Sequence, residues 1–163
     1  MKKFAILILV FSILSFVSCT PEVDLDVEKA AIEKVLQTYI VSMVAEDMEG
    51  ISNIFAHDED MISFGTDAGE RIVGWSGMKK LMEKQFAASD HPTIRPYEQV
   101  IRINSTGNTA WFTEYTDWKM MAGEEEISLT GLRLSGVLDK GLAGWKIVQL
   151  HFSVPVEGQV LEY

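Results

Sequence analysis

The feature that most limits how this chain can fold is a change of hydrophobic period near residue 93. From Asp26 to Glu46, apolar residues fall at Val27, Ala31, Val35, Tyr39 and Met43, with Ile32, Leu36 and Ile40 beside them. Glu28, Lys29, Glu33, Lys34 and Gln37 take the other side. This is the three-to-four spacing of an amphipathic helix, and Asp26 and Glu28 suit its positive N-terminal end. Asp47 is placed to cap a shorter second helix through Ile51, Ile54 and Phe55. "HDED" then breaks the pattern and "MISF" reads as a short strand. A third helix is predicted from about Ser76 to Ala88, with Met78, Leu81, Met82 and Phe86 on one face. "SDHP" closes it, because the residue before a proline avoids the helical region. From Thr93 onward the period is two, in "IRPYEQVIRIN", "TAWFTEYTDWKMM", "ISLTGLRLSGVLD" and "GWKIVQLHFSV". Short turn-rich loops make consecutive strands antiparallel. Helices first and long strands afterwards predict an α+β fold, with three N-terminal helices packed on one face of a curved antiparallel sheet.

A different kind of segment precedes the first helix. Lys2 and Lys3 form a positive start, and "FAILILVFSILSFV" is an uncharged run shorter than the roughly 20 residues a membrane-crossing helix needs. Residues 1–18 therefore read as a signal peptide. Cys19 is the only cysteine, so no intramolecular disulfide can form. "FVSC" resembles the lipobox of bacterial lipoproteins, which implies that Cys19 carries lipid and becomes the new N-terminus. The expected organisation is a lipidated tether over 19–25, a domain over 26–155 and a tail over 156–163. The expected location is the bacterial cell envelope, facing the periplasm or the cell surface.

The 163 residues less an 18-residue leader leave 145, one domain's worth of chain. The formal charge of −10, less the two leader lysines, becomes −12, spread along the chain. That excludes the clustered cations of nucleic-acid binding. It also leaves a lipid on Cys19 as the only expected membrane attachment, since an anionic membrane face repels the domain.

The order of elements resembles the nuclear transport factor 2-like superfamily in its bacterial SnoaL-like branch. Three stretches carry the likeness: "YIVSMVAEDMEGISNIFAHDEDMISFG", "GWSGMKKLMEKQF" and "GLRLSGVLDKGLAGWKIVQLHFSVP". The last is also similar to the end of the calcium/calmodulin-dependent kinase II association domain. The resemblance implies a cone-shaped, cystatin-like fold, with a pocket where the sheet parts from the helices. By itself it implies no single function.

Candidate pocket residues follow from that geometry and from residue type. Alternation groups Trp145, Ile147, Gln149, His151 and Ser153 on one face of the last strand, Arg133, Ser135 and Val137 on the strand before it, and Trp111, Thr113, Tyr115 and Asp117 on the second long strand. The expected pocket set is Tyr39, Phe55, Trp75, Tyr97, Trp111, Tyr115, Arg133 and His151, with His151 aimed into the cone near Leu132 and Arg133. Arg133 also matches an arginine that lines the pocket in the kinase association domain. Flanked by Leu132 and Leu134, its guanidinium needs a partner: Asp117, Glu114 or a bound carboxylate.

Three function classes remain open on these residues. A homodimer formed through the sheet could bind a small apolar or anionic organic molecule in the cone. An isomerase or hydro-lyase could use His151, Asp117, Asp58 or Asp60 as base, with Tyr39, Tyr97 or Tyr115 steadying an enolate. An oligomerisation module would need no ligand. No cofactor or metal is expected: "HDED" lacks calcium-loop spacing, "GTDAGERIVGWSG" matches neither the dinucleotide nor the phosphate-loop pattern and reads as turns, and HExxH, CxxC and GxSxG are absent.

Overall fold

The computed structural model describes residues 23–88, 90–156 and 158. The leader, Cys19 and most of the tether and tail lie outside the described residues. The elements run α1 (Leu25–Ala45), α2 (Met48–Ile54), β1 (Ile62–Phe64), β2 (Arg71–Val73), α3 (Gly74–Ala88), β3 (Asp90–Ile103), β4 (Thr109–Ala122), β5 (Glu125–Gly141) and β6 (Gly144–Ser153).

α1 starts where Asp24 accepts hydrogen bonds from the Asp26 and Val27 amides at 3.1 and 3.2 Å. It ends at Glu46, whose φ of 55° places it in the left-handed region. Its buried stripe is Ile32, Leu36, Tyr39 and Met43, while Val27 faces solvent. Asp47 caps α2 by accepting from the Glu49 amide. At Gly50 a Cβ would collide with the buried Ser42 hydroxyl, so the absent side chain is what lets α2 lie against α1.

The six strands form one sheet in the order β2-β1-β6-β5-β4-β3. It is mixed rather than wholly antiparallel, because β1 runs parallel to β6. Two local expectations are corrected. "RIV" is strand β2, paired with β1, and not a turn. "DHP" starts β3; Pro92 is tolerated because β3 is an edge strand, where the missing N–H leaves no ladder bond unmade.

Besides a bulge at the start of β3, where His91 and Pro92 oppose Met120, three bulges decide which side chains face the helices. In β3, Glu98 and Gln99 together oppose Glu114, with Glu98 at φ 51°. In β5, Thr130 and Gly131 oppose Asp117, and Gly131 sits at φ 67°. That second bulge keeps Leu129 and Ile127 on the same side as Leu132 and Leu134, so the apolar wall continues towards the hairpin tip. In β6, Gln149 pairs with Val137 and Ile147 with Leu138, leaving Val148 as the extra residue. The buried series Trp145, Ile147 therefore passes to Leu150, and His151 turns to the opposite face.

Gly136 sets the curvature between those strands. It pairs with Phe112 and Leu150, and a Cβ there would lie 2.5 Å from the Phe112 ring and 2.7 Å from the Gln149 carbonyl oxygen. Helices cover one face of the sheet only.

Candidate functional site

Between the helices and the inner face of the sheet lies a cavity of about 330 Å³. α1 contributes Tyr39 and Met43; α3 contributes Met78, Leu81, Met82 and Phe86; β4 contributes Trp118 and Met120. β5 supplies Ile127, Leu129 and Leu132, and β6 supplies Leu150 and Phe152. The wall is apolar, with Ser63, Thr66, Glu70 and Gln85 as its main polar groups. Four of its residues are methionines, whose unbranched thioether chains adapt to more than one ligand shape. The size and lining are those of a small-molecule site.

The expected pocket set divides between two places. Tyr39 lines the cavity. Phe55 and Trp75 belong to the packed core beside it: the Tyr39 and Phe55 rings meet edge-on at 6.2 Å, Phe55 and Trp75 stack at 6.0 Å, and His57 stacks on Trp75 at 4.5 Å. Tyr97, Trp111, Tyr115, Arg133 and His151 stand on the helix-free face, not in the cone. Their alternation was read correctly for β4 and β5, but the inward face is the one that carries Phe112, Leu132 and Leu134. His151 pairs with Ser135 and Arg133 with Ser153, so the two are diagonal neighbours on that outer face. With Tyr115, Thr113 and Glu98 they line an open depression of about 300 Å³. The His151 ring also meets Phe64 at 5.7 Å.

The base candidates also stand outside the cavity. Asp117 accepts from the Gly131 amide at 2.9 Å and from the Arg95 guanidinium, and these bonds hold its carboxyl below the ordinary aspartate value, the amide first. It is an engaged structural acid. Asp58 is an exposed loop residue whose carbonyl accepts the Trp75 amide at 3.1 Å, and Asp60 is exposed in the same loop.

The sequence reading named Glu114 as a possible partner of Arg133, and the structure turns it the other way. Glu114 is 6 % exposed, faces the helices, and accepts from the Gln99 amide nitrogen at 2.6 Å. Burial pushes its carboxyl above the ordinary glutamate value, against the Gln99 bond, which lowers it. Burial likewise raises the Tyr39 phenol, and the charge on Glu114 raises it further. The signal was present: in "WFTEYTDW", Glu114 alternates in phase with Phe112 and Trp118, an acid on an apolar face.

A cone of three helices on a curved six-stranded sheet, enclosing an apolar chamber, defines the nuclear transport factor 2-like class. The chain belongs to the SnoaL-like domain family, which matches residues 32–157. Solved structures agree on the fold. A nuclear transport factor 2-like superfamily protein from Salmonella enterica covers 85 % of this chain and 99 % of its own, with a TM-score of 0.74 at 19 % identity. A Novosphingobium aromaticivorans protein named as a scytalone dehydratase covers 80 % and 85 %, with 0.71 at 17 %. A Thiobacillus denitrificans protein named for the calcium/calmodulin-dependent kinase II association domain covers 76 % and 94 %, with 0.59 at 14 %. Comparison with curated proteins gave no match.

Proposed function

We propose that this SnoaL-like domain binds a small, largely apolar organic molecule in its cone, works as a homodimer joined through the open sheet face, and is held at a bacterial envelope membrane by lipid on Cys19. The cavity of about 330 Å³ between α1, α3 and the sheet carries the ligand half of this reading. An apolar ligand seated there gains dispersion contacts with the methionine, leucine and phenylalanine side chains of the wall. An isomerase or hydro-lyase activity in the cone would have to run through Glu70, the one carboxylate among the described residues that line it, since His151, Asp117 and Asp58 stand outside. The membrane half rests on the leader pattern and the position of Cys19.

The dimer half rests on the helix-free face. Trp111 is 47 % exposed and Tyr115 40 %, with Val100 and Phe64 also open to solvent. Register and exposure put all four arginines of the chain, Arg71, Arg95, Arg102 and Arg133, on this face. Aromatic residues and arginine are the groups enriched at interface centres. Glu98 and Asp117 share the face, so two copies related by a two-fold axis can oppose arginines and carboxylates.

The ligand half is tested with Nile red, a neutral apolar dye, titrated into residues 20–163. Saturable binding by the wild type, lost in a folded Leu132→Trp variant that fills the cavity, is the expected result. Equal binding by both would place the dye elsewhere and overturn the reading.

A further inference from the structure

The chemistry of the cavity wall narrows its ligand. Among the described residues that line it there is no lysine, arginine or histidine, and the one charged group is the Glu70 carboxylate. Three hydroxyl residues line the chamber, and two of them are buried, Tyr39 on α1 and Ser63 on β1; the third, Thr66, is an exposed loop residue. Ser63 is 3 % exposed; its oxygen accepts from the Leu150 amide at 3.2 Å, and its own proton finds no acceptor among the described residues. Tyr39 is 2 % exposed and its hydroxyl makes no hydrogen bond among the described residues. No fully buried polar side-chain atom lacks a partner there, so this hydroxyl opens into the cavity rather than into packed protein.

A hydroxyl that opens into an apolar chamber has few acceptors to meet there, and a ligand oxygen supplies one. A buried anion without a cation is costly, and Glu70 together with the net charge of −10 adds repulsion. We infer that the cone, if it holds a ligand as proposed above, selects an uncharged molecule with an apolar body and an acceptor oxygen, of the ketone, ester or alcohol kind, taken by the Tyr39 and Ser63 hydroxyls, and rejects carboxylates. This narrows the expectation of an apolar or anionic ligand to the uncharged half.

The test displaces Nile red from residues 20–163 at pH 8 with 2-decanone and with decanoate, which share a chain length and differ in charge. The expected result is that 2-decanone displaces the dye and decanoate is at least about tenfold weaker. Tyr39→Phe and Ser63→Ala, each with the circular dichroism of the wild type, should each lose about fivefold in affinity for 2-decanone relative to decane, which has no acceptor oxygen, with every displacement corrected for that variant's own dye affinity. Decanoate binding as well as 2-decanone would overturn the inference while leaving the cone a binding site. Unchanged 2-decanone affinity relative to decane in both variants would overturn the assignment of the hydroxyls. If neither compound displaces the dye, this inference falls, while the ligand-binding reading falls only if Leu132→Trp binds the dye as the wild type does.

Discussion

Removing the Glu28 carboxylate should loosen the junction of α1 with the β5–β6 hairpin. Glu28 lies in the first turn of α1, with its side chain 13 % exposed, and accepts from the Lys140 ammonium at 2.6 Å and from the Trp145 indole N–H at 2.8 Å. Lys140 is 38 % exposed, so its ion pair is screened and contributes well under about 1 kcal/mol. Trp145 is 5 % exposed, and Glu28→Ala leaves its N–H buried without an acceptor, at a cost of about 1–3 kcal/mol. The sum is about 2 kcal/mol, or roughly 6 °C in Tm for a domain of this size. Glu28→Gln keeps an acceptor for the indole and should lose less than half as much. The two hydrogen bonds, Lys140 first, hold the Glu28 carboxyl below the ordinary value of 4.5. A depressed carboxyl contributes stability above that value and loses it as pH falls through the folded one. The gap between wild type and Glu28→Ala should therefore be full at pH 7 and shrink below pH 4. Thermal melts followed by circular dichroism across that range provide the assay. An unchanged Tm at pH 7, or a gap as wide at pH 3 as at pH 7, would refute the reasoning.

Three further outcomes are expected. Gly136→Ala should destabilise by about 1–3 kcal/mol, read by urea denaturation, because its Cβ meets the Phe112 ring and the backbone oxygen of Gln149, and the latter has no way to yield. Glu114→Gln should raise Tm at pH 7 and leave little gain at pH 4: a carboxyl raised by burial is an asset below the ordinary value of 4.5 and loses it as pH rises, while glutamine stays neutral and can still accept from Gln99. Trp111→Glu should turn a dimer into a folded monomer in size exclusion with light scattering; a dimer that persists would remove the open sheet face as the interface.

Most of the fold was legible because it rests on period. The stripe Ile32, Leu36, Tyr39 and Met43 and the alternation in β4 and β5 are read directly from residue order. The site was not, because it depends on breaks in that period. The extra residue Val148 reverses every side chain after it, and an apolar strand such as "WKIVQLHF" gives no turn residue to mark the place. Gly131 did mark its bulge, and it could have shown that Leu129 and Ile127 join the inner wall. The choice of face failed for another reason. Arginine, histidine and tyrosine together look like ligand chemistry, whereas the apolar face with Leu132 and Leu134 is the one that helices must cover. The short strand Arg71–Val73 is held by pairing with β1 and carries too few residues to show a period.

The central claim, that the cone is a chamber for a small molecule, is tested most directly by native mass spectrometry of residues 20–163 purified without added ligand, followed by a denatured spectrum of the same sample. The account predicts excess mass on the native species that disappears on denaturation, belongs to an uncharged organic compound, and is missing from Leu132→Trp. A native mass equal to the bare polypeptide, together with failure of Nile red to saturate the wild type, would contradict it.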